Sequence, residues 1–186
     1  MFHTFSGCDT VSFFNGKGKK SLWKTWNVYP EITTTFINLL SESSSLINEL
    51  PKFERFVILT YDKTSSQTAV NRCRLRLFAN KNRQIDNIPP TKSALQEHLK
   101  RSVFQARIWK QMFSLNITYH DPTQFGWCKN ETNLTPLWSH LPAVANSCRE
   151  LIKCNCMKGC KTNKCNCHKE DLKCSRLRGC AGKCSI

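Results

Sequence analysis

Through the first hundred-odd positions of the chain, apolar residues recur at three- and four-residue intervals, the spacing of a helix face. The signal begins around Lys20, with Leu22, Trp23 and Trp26 predicted on one face, and resumes after Pro30 through Phe36, Leu39 and Leu40. A third run, from Leu46 through Phe53, Phe56, Val57 and Tyr61, keeps helical spacing, although Phe56 to Thr60 alone also fits a strand. Val70 to Phe78 reads both ways. Cys73, Leu75 and Leu77 alternate with Arg72, Arg74 and Arg76 as in a strand, whereas Val70, Cys73, Leu77 and Phe78 share a helix face. No turn residue interrupts the stretch, which favours the helix. The clearest helix comes next: Pro89-Pro90 closes a loop, Thr91 is placed to cap, and Leu95, Leu99, Val103, Ala106, Trp109 and Phe113 follow. Its polar positions include Lys92, Lys100, Arg101, Arg107 and Lys110. From 115 to 148 the periodicity is lost, and Pro122, Gly126, Pro136 and Pro142, with Trp127 and Trp138, predict an extended segment packed on the helices. The pattern predicts a helical domain over 1–114, an irregular connecting segment over 115–148 and a small cysteine-rich module over 149–186.

Composition narrows the partners. In 186 residues, 28 Lys and Arg face 13 Asp and Glu, a formal charge of +15. Such an excess favours a polyanion, either nucleic acid or an anionic membrane. No apolar run approaches the ~18 residues of a spanning helix, and no basic n-region precedes an apolar signal core. The expectation is therefore a soluble, intracellular protein with no membrane partner. No feature of the sequence sets an oligomeric state.

Cysteine placement sharpens this. Of 12 cysteines, Cys8, Cys73, Cys128 and Cys148 are scattered and eight fall between Cys154 and Cys184. A secreted disulfide framework is the competing account, and sequons at Asn116, Asn130 and Asn133 suit it, but no secretory signal accompanies them. In a reducing compartment clustered cysteines more often bind metal. Their order is Cys154-x-Cys156, Cys160, Cys165-x-Cys167, Cys174, Cys180 and Cys184, and Lys153-Cys-Asn-Cys-Met-Lys158 recurs as Lys164-Cys-Asn-Cys-His-Lys169. Zinc takes four thiolates in a tetrahedron, and a C-x-C pair offers two from one tight turn. Leu172 and Leu177 are the only large aliphatics between the first and last of these cysteines, so metal has to supply the folding energy.

This spacing closely resembles the tesmin/TSO1-like CXC domain, in which nine cysteines hold three zinc ions, some thiolates bridging. Eight of the nine align here, and Arg178 stands where the resemblance places the ninth. Two zinc ions account for eight separate thiolates; a third requires bridging and a further donor, either His168 or water. The competing account, a metallothionein-like metal store, explains the thiolates but not their order. Residues 149–186 carry ten Lys and Arg against three Asp and Glu, and the field stays positive after eight thiolates and two zincs are included. Lys158, Lys161, Lys164 and Lys169 are interleaved among the ligands. The resemblance implies DNA binding through this surface, often by a tyrosine inserted in the minor groove. The matching position is Lys164, which neutralises phosphate but lacks an aromatic wedge, so little sequence preference is expected.

At the other end, His3-Thr-Phe-Ser-Gly7-Cys8-Asp9-Thr10 leads to Asn15-Gly16-Lys17-Gly18-Lys19-Lys20 and then a helix. A Gly-x-Gly turn at a helix start exposes N–H groups that hold a phosphate, with Lys19 and Lys20 beside it. Together with Gly-Cys-Asp it resembles the C-terminal part of flap-endonuclease-type nucleases, where an aspartate serves a two-metal site and the following turn grips duplex DNA. Asp9 is the matching aspartate, Gly16 and Gly18 match the hairpin glycines, and Lys17 replaces an apolar residue. Transposon-associated animal proteins that join such a region to a terminal CXC module are similar over most of the chain, including Tyr61-Asp-Lys-Thr-Ser, Ile88-Pro-Pro-Thr and Phe125-Gly-Trp. The acids of the two-metal site come mainly from a sheet upstream of Gly-Cys-Asp. This sequence begins two residues before His3, so no enzyme is expected.

These readings predict a mostly α protein: a helical domain followed by a small irregular zinc-cluster module. Its expected cofactor is zinc, two or three ions, held by Cys154, Cys156, Cys160, Cys165, Cys167, Cys174, Cys180 and Cys184. Its expected partner is nucleic acid, double-stranded DNA in the first place, bound through Gly16, Gly18, Lys19, Lys20, Lys158, Lys161, Lys164 and Lys169 in the nucleus. The alternatives are a fragment of a metal-dependent flap-type nuclease lacking its acidic sheet, and a zinc-binding protein-interaction module on which Trp127 and Trp138 mark a docking surface.

Overall fold

The computed structural model describes residues 1–41, 45–79 and 87–138, all within one compact unit. The eight cysteines from Cys154 to Cys184 and Lys158, Lys161, Lys164 and Lys169 lie outside the described residues. Among the described residues the chain is mostly helical, as the periodicity predicts. The elements are α1 (Phe2–Phe5), α2 (Lys19–Val28), α3 (Ile32–Asn38), α4 (Leu46–Tyr61), α5 (Val70–Ala79) and α6 (Lys92–Lys110). A 3-10 turn (Pro122–Phe125) and two short strands, β1 (Trp127–Lys129) and β2 (Leu134–Pro136), follow. The strands pair antiparallel with Cys128 opposite Thr135.

Helix α4 is the centre of the unit. Leu50, Phe53, Phe56, Val57, Ile58, Leu59 and Tyr61 are all buried, and α2, α3, α5 and α6 pack around them. A helix that is apolar on nearly every side is a buried one. That is why Phe56–Thr60 reads equally well as a strand: no polar face marks the turn. Phe5 from α1, Phe36 from α3, and Phe53 and Phe56 form an aromatic cluster, with Phe5–Phe53 centroids 4.9 Å apart and Phe36–Phe53 5.4 Å apart. Val70–Ala79 is a helix, as favoured, burying Val70, Cys73 and Leu77; Leu75 faces out, and so does Phe78, expected on the buried face but standing at the end of the helix. Buried Glu54 joins three helices: it accepts the Val70 N–H at 2.8 Å, a cap on α5 supplied from α4, and pairs with Lys92 of α6 at 2.9 Å. Helix α6 starts where predicted, with the Thr91 hydroxyl accepting the Ala94 N–H at 3.1 Å.

Four further expectations are corrected. Trp23 does not share the buried face of α2 and is 54% exposed; the inward positions are Leu22 and Thr25, with Trp26 half-buried. Thr25 meets Thr60 of α4, hydroxyl to hydroxyl at 3.2 Å. Two small side chains let the helices approach there, and an indole would hold them apart. Helix α6 stops at Lys110, so Phe113 leaves the stripe and is 97% exposed. The Gln111 carboxamide fixes that exit, accepting the Thr118 N–H at 2.7 Å and donating to the Thr118 carbonyl at 3.2 Å.

Arg101 is 4% exposed despite its place among the polar positions. Its guanidinium donates to the carbonyls of Gly126 and Leu137 at 3.1 and 3.2 Å, which lets a permanent cation stay buried. The described part of the connecting segment, finally, packs on the helices as expected, against α6, but it holds a 3-10 turn and two short paired strands rather than one extended run. Asp121 caps the 3-10 turn by accepting the Thr123 N–H, Pro122 opens it, and Gly126 closes it in the left-handed region. A Cβ on Gly126 would lie 2.9 Å from the Glu97 carbonyl, so the turn sits directly on α6.

Candidate nucleic-acid interface

The segment between α1 and α2 consists of two consecutive tight turns. In the first, Cys8 and Val11 exchange both backbone hydrogen bonds, at 3.0 and 3.2 Å, and Asp9 and Thr10 form the exposed tip. Gly7 enters this turn at φ 104°, and a Cβ there would stand 2.6 Å from that of Phe13, so only glycine fits. In the second turn the Lys17 N–H returns to the Phe14 carbonyl at 3.0 Å over Asn15 and Gly16, the latter at φ 65°. Tyr61 holds this turn from below. Its hydroxyl donates to the Asn15 carbonyl at 3.1 Å, and the Lys17 ammonium lies 5.3 Å from the centre of its ring. Burial raises the phenol to about 12, so it keeps the proton it donates.

Gly18 then caps α2 with extended backbone. Among the described residues no side chain caps this end, and no atom stands within 4 Å of the place a Cβ would take. The backbone N–H groups that open α2 are thereby left at an unobstructed helix end, the positive end of its dipole. Of the predicted contact residues, the structure brings Gly16, Gly18, Lys19 and Lys20 together at this end. Lys20 is exposed; the Lys19 ammonium reaches back to the Gly7 carbonyl at 2.5 Å and staples the two turns. Lys19 is therefore a brace as well as a charge.

Asp9 stands alone at its tip. Among the described residues no three His, Cys, Asp or Glu side chains gather as a metal site would need. The nearby Thr10 hydroxyl donates to Gln105 at 2.7 Å and meets the Cys8 thiol at 3.5 Å. Beside the second turn opens a cleft of about 260 Å³ whose lining includes Phe13, Tyr61, Glu97, His98 and Trp138. His98 has no free nitrogen there. Nε2 donates to the Phe5 carbonyl at 2.8 Å, and since a carbonyl only accepts, Nδ1 is the acceptor for the Ser12 hydroxyl at 3.0 Å. Burial, with a smaller contribution from Arg101, lowers its pKa to about 4 against the Phe5 bond.

The remaining motifs of the sequence resemblance do structural work. Asp62 accepts the Thr64 N–H and hydroxyl at 3.2 and 3.0 Å and pairs with Arg76, closing the loop after α4. Arg74 donates to the Pro89 carbonyl, tying the Pro-Pro loop to α5. The Trp127 indole N–H is buried without a partner among the described residues, whereas Trp138 is exposed with the Arg101 guanidinium 5.9 Å from its ring. Among the described residues no helix is long and apolar enough to cross a membrane. No protein family, curated protein or solved structure matches the chain.

Proposed function

We propose that this chain binds nucleic acid, double-stranded DNA in the first place, through two contacts: a zinc-held CXC module over 149–186 and the Gly16–Lys20 turn. The observation that carries the reading is the start of α2, which among the described residues no side chain caps and where Gly18 leaves open space beside the first backbone N–H groups and exposed Lys20. The module rests on its donor set. Eight thiolates, two of them in each C-x-C pair, fit zinc, which supplies the cross-links that order a segment with almost no apolar core. Lys158, Lys161, Lys164 and Lys169 are then fixed as one basic array, and the nucleus is the compartment that suits it.

Lysines that meet phosphates release counterions, so affinity should fall by roughly 0.9 log unit per contact for each tenfold rise in salt. Replacing Lys164 and Lys169 together should flatten that slope and weaken binding equally on unrelated sequences, since lysine to phosphate carries no base code. Chelation should remove the same component and leave the contribution of the turn. Fluorescence anisotropy across a salt series, with and without chelator, reads all three. Undetectable binding at low salt, or a slope indifferent to chelator, sinks the module as a DNA contact.

Hydrolysis is not part of this reading. Two-metal cleavage needs several carboxylates converging on ions ~3.5–4 Å apart, and among the described residues none gathers with Asp9. Magnesium or manganese should therefore give no cleavage of flap or duplex DNA. Cleavage that disappears in Asp9→Ala would instead favour the nuclease-fragment alternative. The protein-interaction reading has two observations in its favour: Trp138 is exposed, and so are Met112, Phe113, Leu115, Ile117 and Tyr119 in a single stretch. It takes precedence if DNA binding fails.

A further inference from the structure

The exposure of Trp23 is the feature of α2 that neither packing nor the turn explains. A lone exposed aromatic is ordinary on a protein surface. This one, however, has its ring direction fixed. Phe2 lies 5.7 Å away at 74° and Trp26 5.3 Å away at 70°, both near-perpendicular. Trp26 is itself anchored, its indole N–H donating to Thr33 at 2.7 Å and its ring 5.3 Å from Phe36. The result is an indole braced by two neighbouring rings, with more than half of the residue still open.

Its neighbours are cationic. Lys20, one turn earlier on the same face, and Lys24, the next residue, are both exposed, and neither has an ion-pair or hydrogen-bond partner among the described residues. Helix α2 contains no acidic residue. An exposed aromatic ring with exposed lysines three residues before it and one residue after it matches the two parts of a nucleotide, base and phosphate. In a duplex the bases are stacked on one another and offer no face, so the indole has a use only where bases are unpaired.

We propose that Trp23, Lys20 and Lys24 form a binding site for single-stranded DNA, a base stacking on the indole and flanking phosphates meeting the two lysines. The site rests on the DNA-binding reading above but differs from it in ligand. The Gly16–Lys20 turn and the zinc module grip phosphates of duplex, while the Trp23 face takes a strand without a complement.

The test is anisotropy with the full-length, zinc-loaded protein on a labelled oligothymidylate and on a blunt duplex of equal length, at low salt. Trp23→Ala should weaken the single strand by about ten- to hundred-fold, leave the duplex unchanged and keep the salt slope, because stacking releases no counterions. Trp23→Phe, which keeps an aromatic face and the contact with Phe2, should restore most of the loss. Lys24→Gln, which lies outside the Gly16–Lys20 turn, should flatten the salt slope on the single strand and leave the duplex slope unchanged, and it serves as the test if Trp23→Ala loses helical signal. Equal losses on both DNAs, or no loss on either, overturn the proposal. Wild-type protein that binds duplex but no single strand also overturns it while leaving the functional reading intact. Binding to neither ends both.

Discussion

Chelating the purified protein should unfold residues 154–184 and leave the far-UV signal of α1 to α6 in place. Between Cys154 and Cys184 the only large aliphatics are Leu172 and Leu177, too few to offset the conformational entropy of that many residues. Structural zinc supplies on the order of 10 kcal/mol per ion, so its loss is decisive for this segment and irrelevant to a core built from Phe5, Phe53 and Phe56. Elemental analysis should find two or three zincs per chain, and limited proteolysis after chelation should cut within the module while sparing α4 and α6. Protein that contains no zinc and carries the eight cysteines as disulfides would defeat this prediction and favour the secreted framework.

Acid should destabilise the helical unit through His98. Its pKa is about 4 in the folded protein and near 6.5 in the unfolded chain. Between those values the unfolded state takes up a proton that the folded state refuses, so stability falls as pH drops from about 6.5 to about 4. The size is about 3 kcal/mol over the window, and above it the contribution is fully present. Urea unfolding followed at 222 nm at several pH values should show this fall. In His98→Gln the carboxamide can still donate to the Phe5 carbonyl, but Ser12 loses its Nδ1 acceptor, so the starting stability is lower by about 1–3 kcal/mol while the fall across the window should largely disappear. Parallel curves for the two proteins would mean that His98 titrates normally.

Much of the architecture is legible in the sequence because helices declare themselves locally. The repeat from Leu95 to Ala106 and the Thr91 cap are short-range signals, and both hold. What local spacing does not carry is which of two faces wins. On α2, Trp23 is more apolar than Thr25, yet Thr25 is inside because Thr60, thirty-five positions away, leaves room for nothing larger. Arg101 reads as a surface charge, and only the Gly126 and Leu137 carbonyls, supplied by a distant turn, make its burial possible. The Asp121-Pro122…Gly126 signature does announce a short helical turn, and it is visible once read as cap, first residue and stop. For the candidate interface, the glycines and lysines of the Gly16–Lys20 turn are legible as a set. The bracing of Lys19 by Gly7 and the opening of Trp23 to solvent depend on tertiary contacts and are not.

The distance along the chain between α1 and its partners has a consequence for synthesis. Phe5 is covered by α4, and its carbonyl is held by His98, ninety-three residues later; Thr10 likewise waits for Gln105. A ribosome adding about 5–20 residues per second needs roughly 5–20 seconds to cover that interval. For the last part of it, after α4 is made, the Phe5 carbonyl and the Phe5 and Phe14 rings still lack the His98 side chain that meets them. Translation products that stop before α6 therefore leave the Phe5–Phe14 stretch without its His98 partner, a defect that the finished unit does not show.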